Sequence, residues 1–520
     1  MNHWADSIAQ QIINLRPDKN IYVCAAGISP SGSVHIGNFR DIATVFFVGR
    51  ALREQGKKVR LLFSWDEFDR FRKVPANVHK SFDQYIGKPY TAIPDPFGCH
   101  ESYARHFEQE FEQSIVRFGI QLDFRYQTVE HQSGKYCENI ILALKKRKQI
   151  YDILSKNRTQ QASDEERELY YPIHIYCHAC NKDTTKVTSL SSDCHELTYH
   201  CKCGHTSNID LTKGGQFKLP WKVDWPMRWK HEQVDFEPGG KDHATPGGSY
   251  TVSKQISQEI FDYQPPIFQG YEFVGITGLT SKMSGSSGKA ITPGELLKIY
   301  QPEILLWYFA KYSPTKAFSI SLDEEILRQY DEFDRALTTF KENKAVDQAK
   351  RNIELSLIDG HEIITVPFRQ LASFSTIIKG NTEALTNIFD RLGTPFTSSQ
   401  FNDRLEKASY WLNTYCPESV VSLKETPNKA YFETLNPVEQ QWIRNLYKKI
   451  TEKNMTFEEL TVMLYDIPKD QSLSEDINKT NQRRFFLIIY QLLIGKDTGP
   501  RLATFLQALD PQKISFLFDF

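Results

Sequence analysis

A chain of 520 residues and 60.3 kDa outgrows a single hydrophobic core, so two to four domains are expected. Its 40% hydrophobic and 24% charged residues are globular values that exclude a disordered chain, and a net charge of −1 neither demands nor excludes nucleic acid. No apolar run reaches the roughly 20 residues that span a bilayer; the longest, "FFLIIYQLLI", reads as a buried helix, and no membrane partner is expected.

The opening "MNHWADSIAQQI" has no basic stretch leading into an apolar core, so no signal peptide is expected and the cytoplasm is the expected compartment. Nine cysteines there are reduced thiols or metal ligands. The first elements read as strand ("NIYVCAAG"), loop ("GISPSGSVHIGN"), helix from Ile36 stopped by Gly56, and buried strand ("KKVRLLFSW"). This βαβ unit predicts a parallel sheet with its ligand site at the carboxyl ends of the strands. Ser31, Gly32 and Gly37 leave room for a phosphate at the helix mouth, and His35 falls on the first turn. A histidine there serves equally as a cap or a packed surface residue. "WDEF" closes the second strand with Asp66 and Glu67, and helix-cap or salt-bridge roles are open to Asp66.

From Lys135 to Ser207 the chain turns to short polar segments without a sustained helical period, around the basic patch "KKRK" at Lys145–Lys148, and reads as an insertion. Cys177 and Cys180 form C-x2-C, and Cys201 and Cys203 follow as C-x-C. That pattern points to a tetrahedral structural zinc drawing together a segment too small to fold on its own core. Cys194, His178, His195, His200 or His205 can replace one member, and a remnant knuckle without metal also fits. Cys24, Cys99, Cys137 and Cys416 read as ordinary buried thiols.

"LPWKVDWPMRW" then offers Trp221, Trp225 and Trp229, as core or as walls of a cation site. "GGKDH" has two glycines for close backbone approach before Asp242 and His243; a turn with a surface histidine reads the same way. In "GYEFVGITGLTSKMSGSSGKAITPGELLKIY" an apolar strand enters a Gly/Ser loop where Lys282 can reach phosphate oxygens. Met283 and Ala290 stand where a Walker A loop needs Gly and Ser or Thr. Thr292 and Glu295, with Pro293 between them, form a capping box opening a helix. Beyond Pro302 the pattern is helical, with Ile326, Tyr330, Phe333 and Leu337 as one stripe. The expected domains are 1–134 and 208–300 as two halves of a Rossmann-type catalytic domain, 135–207 as the insertion, and 301–520 as a helical domain.

"HIGN" and "KMSGS", in this order and context, resemble the HIGH and KMSKS motifs of class I aminoacyl-tRNA synthetases. "GISPSGSVHIGNFRD", "SWDEFDRFRKVP", "VDWPMRW", "GGKDHATPGGSY", "VGITGLTSKMSGSSG" and "YSPTKAFSISLDEEILRQYDEFDR" together resemble the class I lysyl-tRNA synthetases over most of the chain. Asn38 replaces the second histidine of HIGH and can donate a hydrogen bond but carries no charge. Gly285 replaces the second lysine of KMSKS.

The resemblance implies an α/β fold with an inserted acceptor-end domain and a helical anticodon-binding domain, and a cytoplasmic enzyme expected to be a monomer. It implies ATP-dependent activation of L-lysine to lysyl-adenylate, then transfer to the terminal adenosine of tRNA(Lys), starting at its 2′-hydroxyl. His35, Asn38 and Lys282 become the catalytic group; Ser31, Gly32, Gly37, Met283, Ser284 and Ser286 join them around ATP, with Mg2+ travelling on the nucleotide. Gly27, Ser29, Asp66, Trp221, Asp242 and His243 line the amino-acid site, and zinc supports the insertion. A glutamyl-type class I enzyme, or a non-charging tRNA-binding or nucleotidyltransferase paralogue, is the alternative.

Overall fold

The computed structural model describes residues 3–156, 163–277, 291–377, 382–452 and 455–520. These form two compact units, Met1–Ser321 with Arg335–His361, and Leu322–Asp334 with Glu362–Phe520.

The first unit is built on β1 (Ile21–Ile28), β2 (Lys58–Trp65) and β3 (Asp123–Tyr126), joined by α1 (Trp4–Leu15), α2 (Phe39–Glu54) and α3 (Tyr103–Val116). β1 runs parallel to β2 from Ile21 opposite Lys58 to Ile28 opposite Trp65. α2 connects them and is buried on nearly every face from Phe39 to Val48, the pattern of a helix enclosed on all sides. Gly56, at φ +75°, ends it with Gly56 N–H donating to Arg53 O and Lys57 N–H to Leu52 O, a Schellman closure that favours glycine. The start differs from the expected one: α2 begins at Phe39, and His35 lies in the turn before it.

After α4 (Gln127–Gln132) the insertion opens with α5 (Cys137–Lys145), α6 (Arg147–Ser155) and α7 (Asp164–Glu168), so its described residues up to Glu168 are mainly helical where no sustained period was expected. The helices are too short to repeat a stripe, and "KKRK" spans the junction of α5 and α6. Short strands β4 (His174–Ile175) and β8 (Phe217–Lys218) pair antiparallel around the meander β5 (Thr185–Leu190), β6 (Glu196–Cys201) and β7 (Thr206–Asp210). Leu197, Tyr199 and Ile209 of the meander share one buried cluster with Met227 of α8 (Trp221–Glu232) and Ile256 of α9 (Ser249–Glu259). The insertion therefore uses the core of the helices that follow it.

β9 (Phe236–Gly240) and β10 (Ile267–Tyr271) complete an all-parallel sheet in the order β3-β2-β1-β9-β10. The order reverses at β1, and such switch points are where doubly wound sheets bind ligands. β1 and β9 pair at Cys24 opposite Phe236, leaving their carboxyl ends to part.

Past β11 (Val274–Thr277), the Thr292 Oγ1 accepts from Glu295 N at 3.1 Å, but α10 (Pro293–Leu296) is a single turn. The next helix, α11 (Pro302–Lys311), is buried from Glu303 to Ala310 and packs on α2 and on Asp347–Ser356. That is why residues 302–321 belong to the first compact unit, whose boundary with the helical unit differs from a cut at residue 301. Within the second unit Tyr330 stacks on Phe368 at 3.8 Å, and the buried Arg404 pairs with Asp334 at 2.6 Å and donates to Val366 O at 2.8 Å. "FFLIIYQLLI" ends the helix Glu475–Ile494 and buries Phe485, Ile488, Ile489, Leu492 and Leu493. Among the described residues no helix is long and apolar enough to cross a membrane.

α8 carries three tryptophans despite a proline at its sixth position. Pro226 has no N–H for the Lys222 carbonyl, and the buried Ser253 of α9 supplies the missing donor, Oγ to O at 3.0 Å. Ser253→Ala is expected to cost about 1–2 kcal/mol in urea unfolding. The loss should shrink in a Pro226→Ala background, where the helix bonds that carbonyl itself.

Candidate active site

The loop between β1 and α2 holds Ser29 to Asn38. The half-buried His35 has a buried Nδ1 without a hydrogen-bond partner among the described residues, and burial lowers its pKa, which disfavours the imidazolium. A Cβ at Gly37 would lie 2.8 Å from the His35 ring, so a larger residue there would displace the imidazole. Asn38, at the N-cap of α2, makes no side-chain cap bond. Neither motif side chain is spent on capping the helix. The Ser31 carbonyl accepts from Tyr103 Oη at 2.9 Å, which braces the loop from α3, while Ser29 Oγ lies 3.3 Å from Asp69.

Lys282, Met283, Ser284 and Ser286 lie outside the described residues. The chain returns at Ile291, whose carbonyl accepts the Ile36 N–H at 2.9 Å. The exit of the second motif's segment is thereby tied by one backbone hydrogen bond to the middle of "HIGN".

Beside the loop, at the parted ends of β1 and β9, is a cavity lined by Gly27, Asp41, Asp66, Trp221, Trp225, Trp229, Glu237, Gly239, Gly240, His243 and Tyr271. The tryptophans, four residues apart on α8, form one wall: Trp221 stacks on Trp225 at 4.9 Å and 17°, and Trp225 meets Trp229 at 5.0 Å. The ring of His243 is 5.8 Å from Trp225, and burial lowers its pKa. Gly27 presses against β2, where a Cβ would stand 3.1 Å from Ser64 O.

The carboxylates of the cavity fall into two kinds. Asp66 is paired with Arg228, which also bridges to Asp224, and Lys218 pairs with Asp69. These buried ions compensate one another beside His131, whose pKa burial pulls down to about 3. Among the described residues neither Asp41 nor Glu237 has an ion-pair partner, although Arg228 also lines the cavity and its charge opposes the rise of Glu237. Tyr271 Oη donates to Asp41 Oδ2 at 2.8 Å, and Trp229 Nε1 to Glu237 Oε2 at 2.6 Å. Burial pushes Asp41 up to about 8, helped by the nearby charge of Glu237, and pushes Glu237 up to about 7. The Asp41 Oδ1 is buried without a hydrogen-bond partner. Two buried carboxyls at an aromatic wall form a site whose charge a bound cation would complete.

Of the expected amino-acid residues, Gly27, Asp66, Trp221 and His243 line this cavity and Ser29 follows its first strand. Asp242 is the departure. It is exposed on the turn Lys241–Ala244 that follows β9, where its carbonyl accepts from Thr245 Oγ1. Sequence reasoning passed over Asp41, Glu237 and Tyr271. Asp41 stands one helical turn beyond Asn38, and Glu237 lies near the end of a strand just before "PGG", both legible as positions near a strand-end site.

In the insertion the four expected thiols converge: Cys177 and Cys203 are 3.7 Å apart at sulfur, as are Cys180 and Cys201, and all four lie within 4.8 Å of one another. Four sulfurs at about 2.3 Å from a tetrahedral zinc stand about 3.7 Å apart, so the donor set fits that ion. Cys24, Cys137 and Cys416 are buried thiols as expected. Cys99 is not: it is exposed, on a loop held by the Asp95 carboxylate and not in a core.

The family model described as "tRNA synthetases class I (K)" matches residues 2–359. Similar proteins include the lysine–tRNA ligase of Pyrococcus horikoshii, 37% identical over 528 residues and covering 98% of each chain. That of Treponema pallidum is 36% identical, covering 98% of this chain and 97% of its own, and that of Thermococcus kodakarensis is 37% identical, covering 98% of each. The uncapped motif side chains at the mouth of α2, the cavity at the sheet's switch point and the full-length similarity agree, and the chain belongs to the class I (K) tRNA synthetases.

Proposed function

We propose that the chain is a lysine–tRNA ligase. A carboxylate oxygen of L-lysine attacks the α-phosphorus of ATP and the bond to the β-phosphate oxygen breaks, releasing pyrophosphate. The 2′-hydroxyl of the tRNA's terminal adenosine then takes the lysyl group and AMP leaves. The observation that carries the choice of lysine is the pair Asp41 and Glu237, buried beside the tryptophan wall without an ion-pair partner among the described residues. An ε-ammonium satisfies both; the carboxylate of a glutamate substrate would be repelled by them, which sets the glutamyl alternative aside. Asp66, already matched by Arg228, holds the wall and does not meet the ammonium.

With its side chain there, the amino acid's carboxylate points along β1 toward the loop Ser29–Asn38. His35 and Asn38 donate to triphosphate oxygens, Gly32 and Gly37 keep the approach clear, and Lys282 neutralises charge on the β and γ phosphates with the Mg2+ that ATP brings. The lysine carboxylate is ionised at neutral pH, so activation needs no general base. Cys177, Cys180, Cys201 and Cys203 hold a structural zinc that closes the insertion, which receives the acceptor end, and the helical unit reads the anticodon through stacking on its aromatics. This is cytoplasmic work, in translation.

ATP–pyrophosphate exchange, run with each amino acid and with and without tRNA, is expected to respond to lysine; exchange driven by glutamate would overturn the reading. Glu237→Gln should raise the lysine KM about 10- to 100-fold, a loss of about 1.4–2.8 kcal/mol, and leave the ATP KM unchanged. Because burial raises both carboxyls, lysine binding is expected to be full above pH 8 and to weaken as pH falls through 7. Glu237→Gln should flatten the lower part of that profile. Lys282→Ala is expected to lower the adenylation rate about 100-fold or more with little change in lysine KM, measured by single-turnover adenylate formation.

A further inference from the structure

The segment that leaves β2 is clasped from the insertion side at three successive residues. Tyr176, 2% exposed and next after β4, donates its Oη to the Phe68 carbonyl at 2.7 Å. Lys218 of β8, buried opposite His174 of β4, pairs with Asp69 Oδ1. Arg70 pairs with Asp183 at 3.1 Å, and the Asp183 N–H donates to Gly87 O at 2.9 Å. Arg70 is exposed, so its ion pair adds little; Tyr176 and Lys218 carry the hold.

From the clasped segment one side chain turns back to the loop Ser29–Asn38. Asp69 Oδ2 accepts from Ser29 Oγ at 3.3 Å. The Ser29 carbonyl in turn accepts the Ser31 N–H at 2.8 Å, so Ser29 opens the turn that leads to "HIGN". Burial pushes the Asp69 carboxyl up, but the Lys218 ammonium outweighs it and holds the group below its ordinary range. An ionised carboxylate is the stronger acceptor for a hydroxyl. Lys218, Asp69 and Ser29 therefore form one chain of contacts from the strand pair β4–β8 to the start of the loop. Arg228 matches Asp66 and Asp224 without Asp69, so the link to Ser29 is an addition to that buried cluster and not a requirement of it.

We propose that Lys218 is a positioning residue for amino-acid activation: through Asp69 it sets Ser29, and with it the approach of the loop Ser29–Asn38 to the triphosphate. Lys218 does not line the cavity and acts only through its partner. A shift of the β4–β8 pair is thereby felt at the adenylation site, which couples the insertion to activation as well as to tRNA. The inference rests on the ligase reading for the reaction it tunes.

The test is a double-mutant cycle on the full chain, read in lysine-dependent ATP–pyrophosphate exchange. Lys218→Met is expected to lower kcat about 10- to 100-fold, the effect of a small misplacement, with lysine KM changed less than about threefold. Ser29→Ala should also lower kcat, and the double variant no further than the larger single loss, because both cut one chain. Losses that multiply, or a Lys218→Met kcat equal to the parent's, overturn the proposal. Should Lys218→Met fail to fold, Asp69→Asn takes its place in the same cycle with the same expectation, since the amide removes the charge that Lys218 pairs. Hydrogen exchange read by peptide mass spectrometry needs no activity: amides of Ser29–Asn38 should exchange about threefold or more faster in the variant, with those of β1 unchanged. Parent-like exchange in that loop overturns the proposal. A parent without lysine-dependent pyrophosphate exchange would sink the ligase reading alone, and hydrogen exchange would then decide this one.

Discussion

Asp235 holds the sheet together at the point from which it opens. Its carboxylate, 1% exposed, accepts the Val23 N–H at 2.7 Å and pairs with Arg16 and with Lys19. Its own N–H donates to Val23 O at 2.8 Å and its carbonyl accepts from Ile267 at 2.9 Å. One residue thus ties β1, β9 and β10 at their amino ends. With that end secured by charge-assisted hydrogen bonds, the carboxyl ends of β1 and β9 part without loss of the sheet, and the cavity occupies the gap.

What fills the gap follows from electrostatics. A buried carboxylate is tolerated when matched, as Asp66 is by Arg228, and otherwise shifts toward its neutral form, as Asp41 and Glu237 do. In the second state an incoming cation would restore charge to groups held in place by Tyr271 and Trp229, while Arg228 of the same cavity is already matched by Asp66 and Asp224. The matched set of Asp66, Arg228, Asp224, Lys218 and Asp69 beside it gives the wall rigidity without competing for the ligand.

The insertion and the loop before α3 meet the same difficulty differently. Neither has the apolar mass to order itself. The insertion borrows the core of α8 and α9 and gathers four sulfurs. The Asp95 loop is held by one carboxylate that accepts the backbone N–H groups of Phe97, Cys99 and His100.

Local chemistry was legible in the chain: the strand, loop and helix around "HIGN", the Schellman closure at Gly56, the C-x2-C and C-x-C pairs and the tryptophan spacing depend on neighbours in sequence, through hydrogen bonds and periodicity a few residues long. The start of α2 was read three residues early, because glycine and asparagine continue a turn as readily as a helix. Asp242 was placed inside the cavity because nothing in "GGKDH" says which way the chain leaves a strand. Only the tertiary structure decided that Asp41 and Glu237, almost 200 residues apart, share one cavity without an ion-pair partner among the described residues, and that Cys99 faces two histidines in place of a core. Burial and pairing depend on which distant segments meet, and those set the charge of a site; sequence by itself determined the elements, and packing determined their electrostatics.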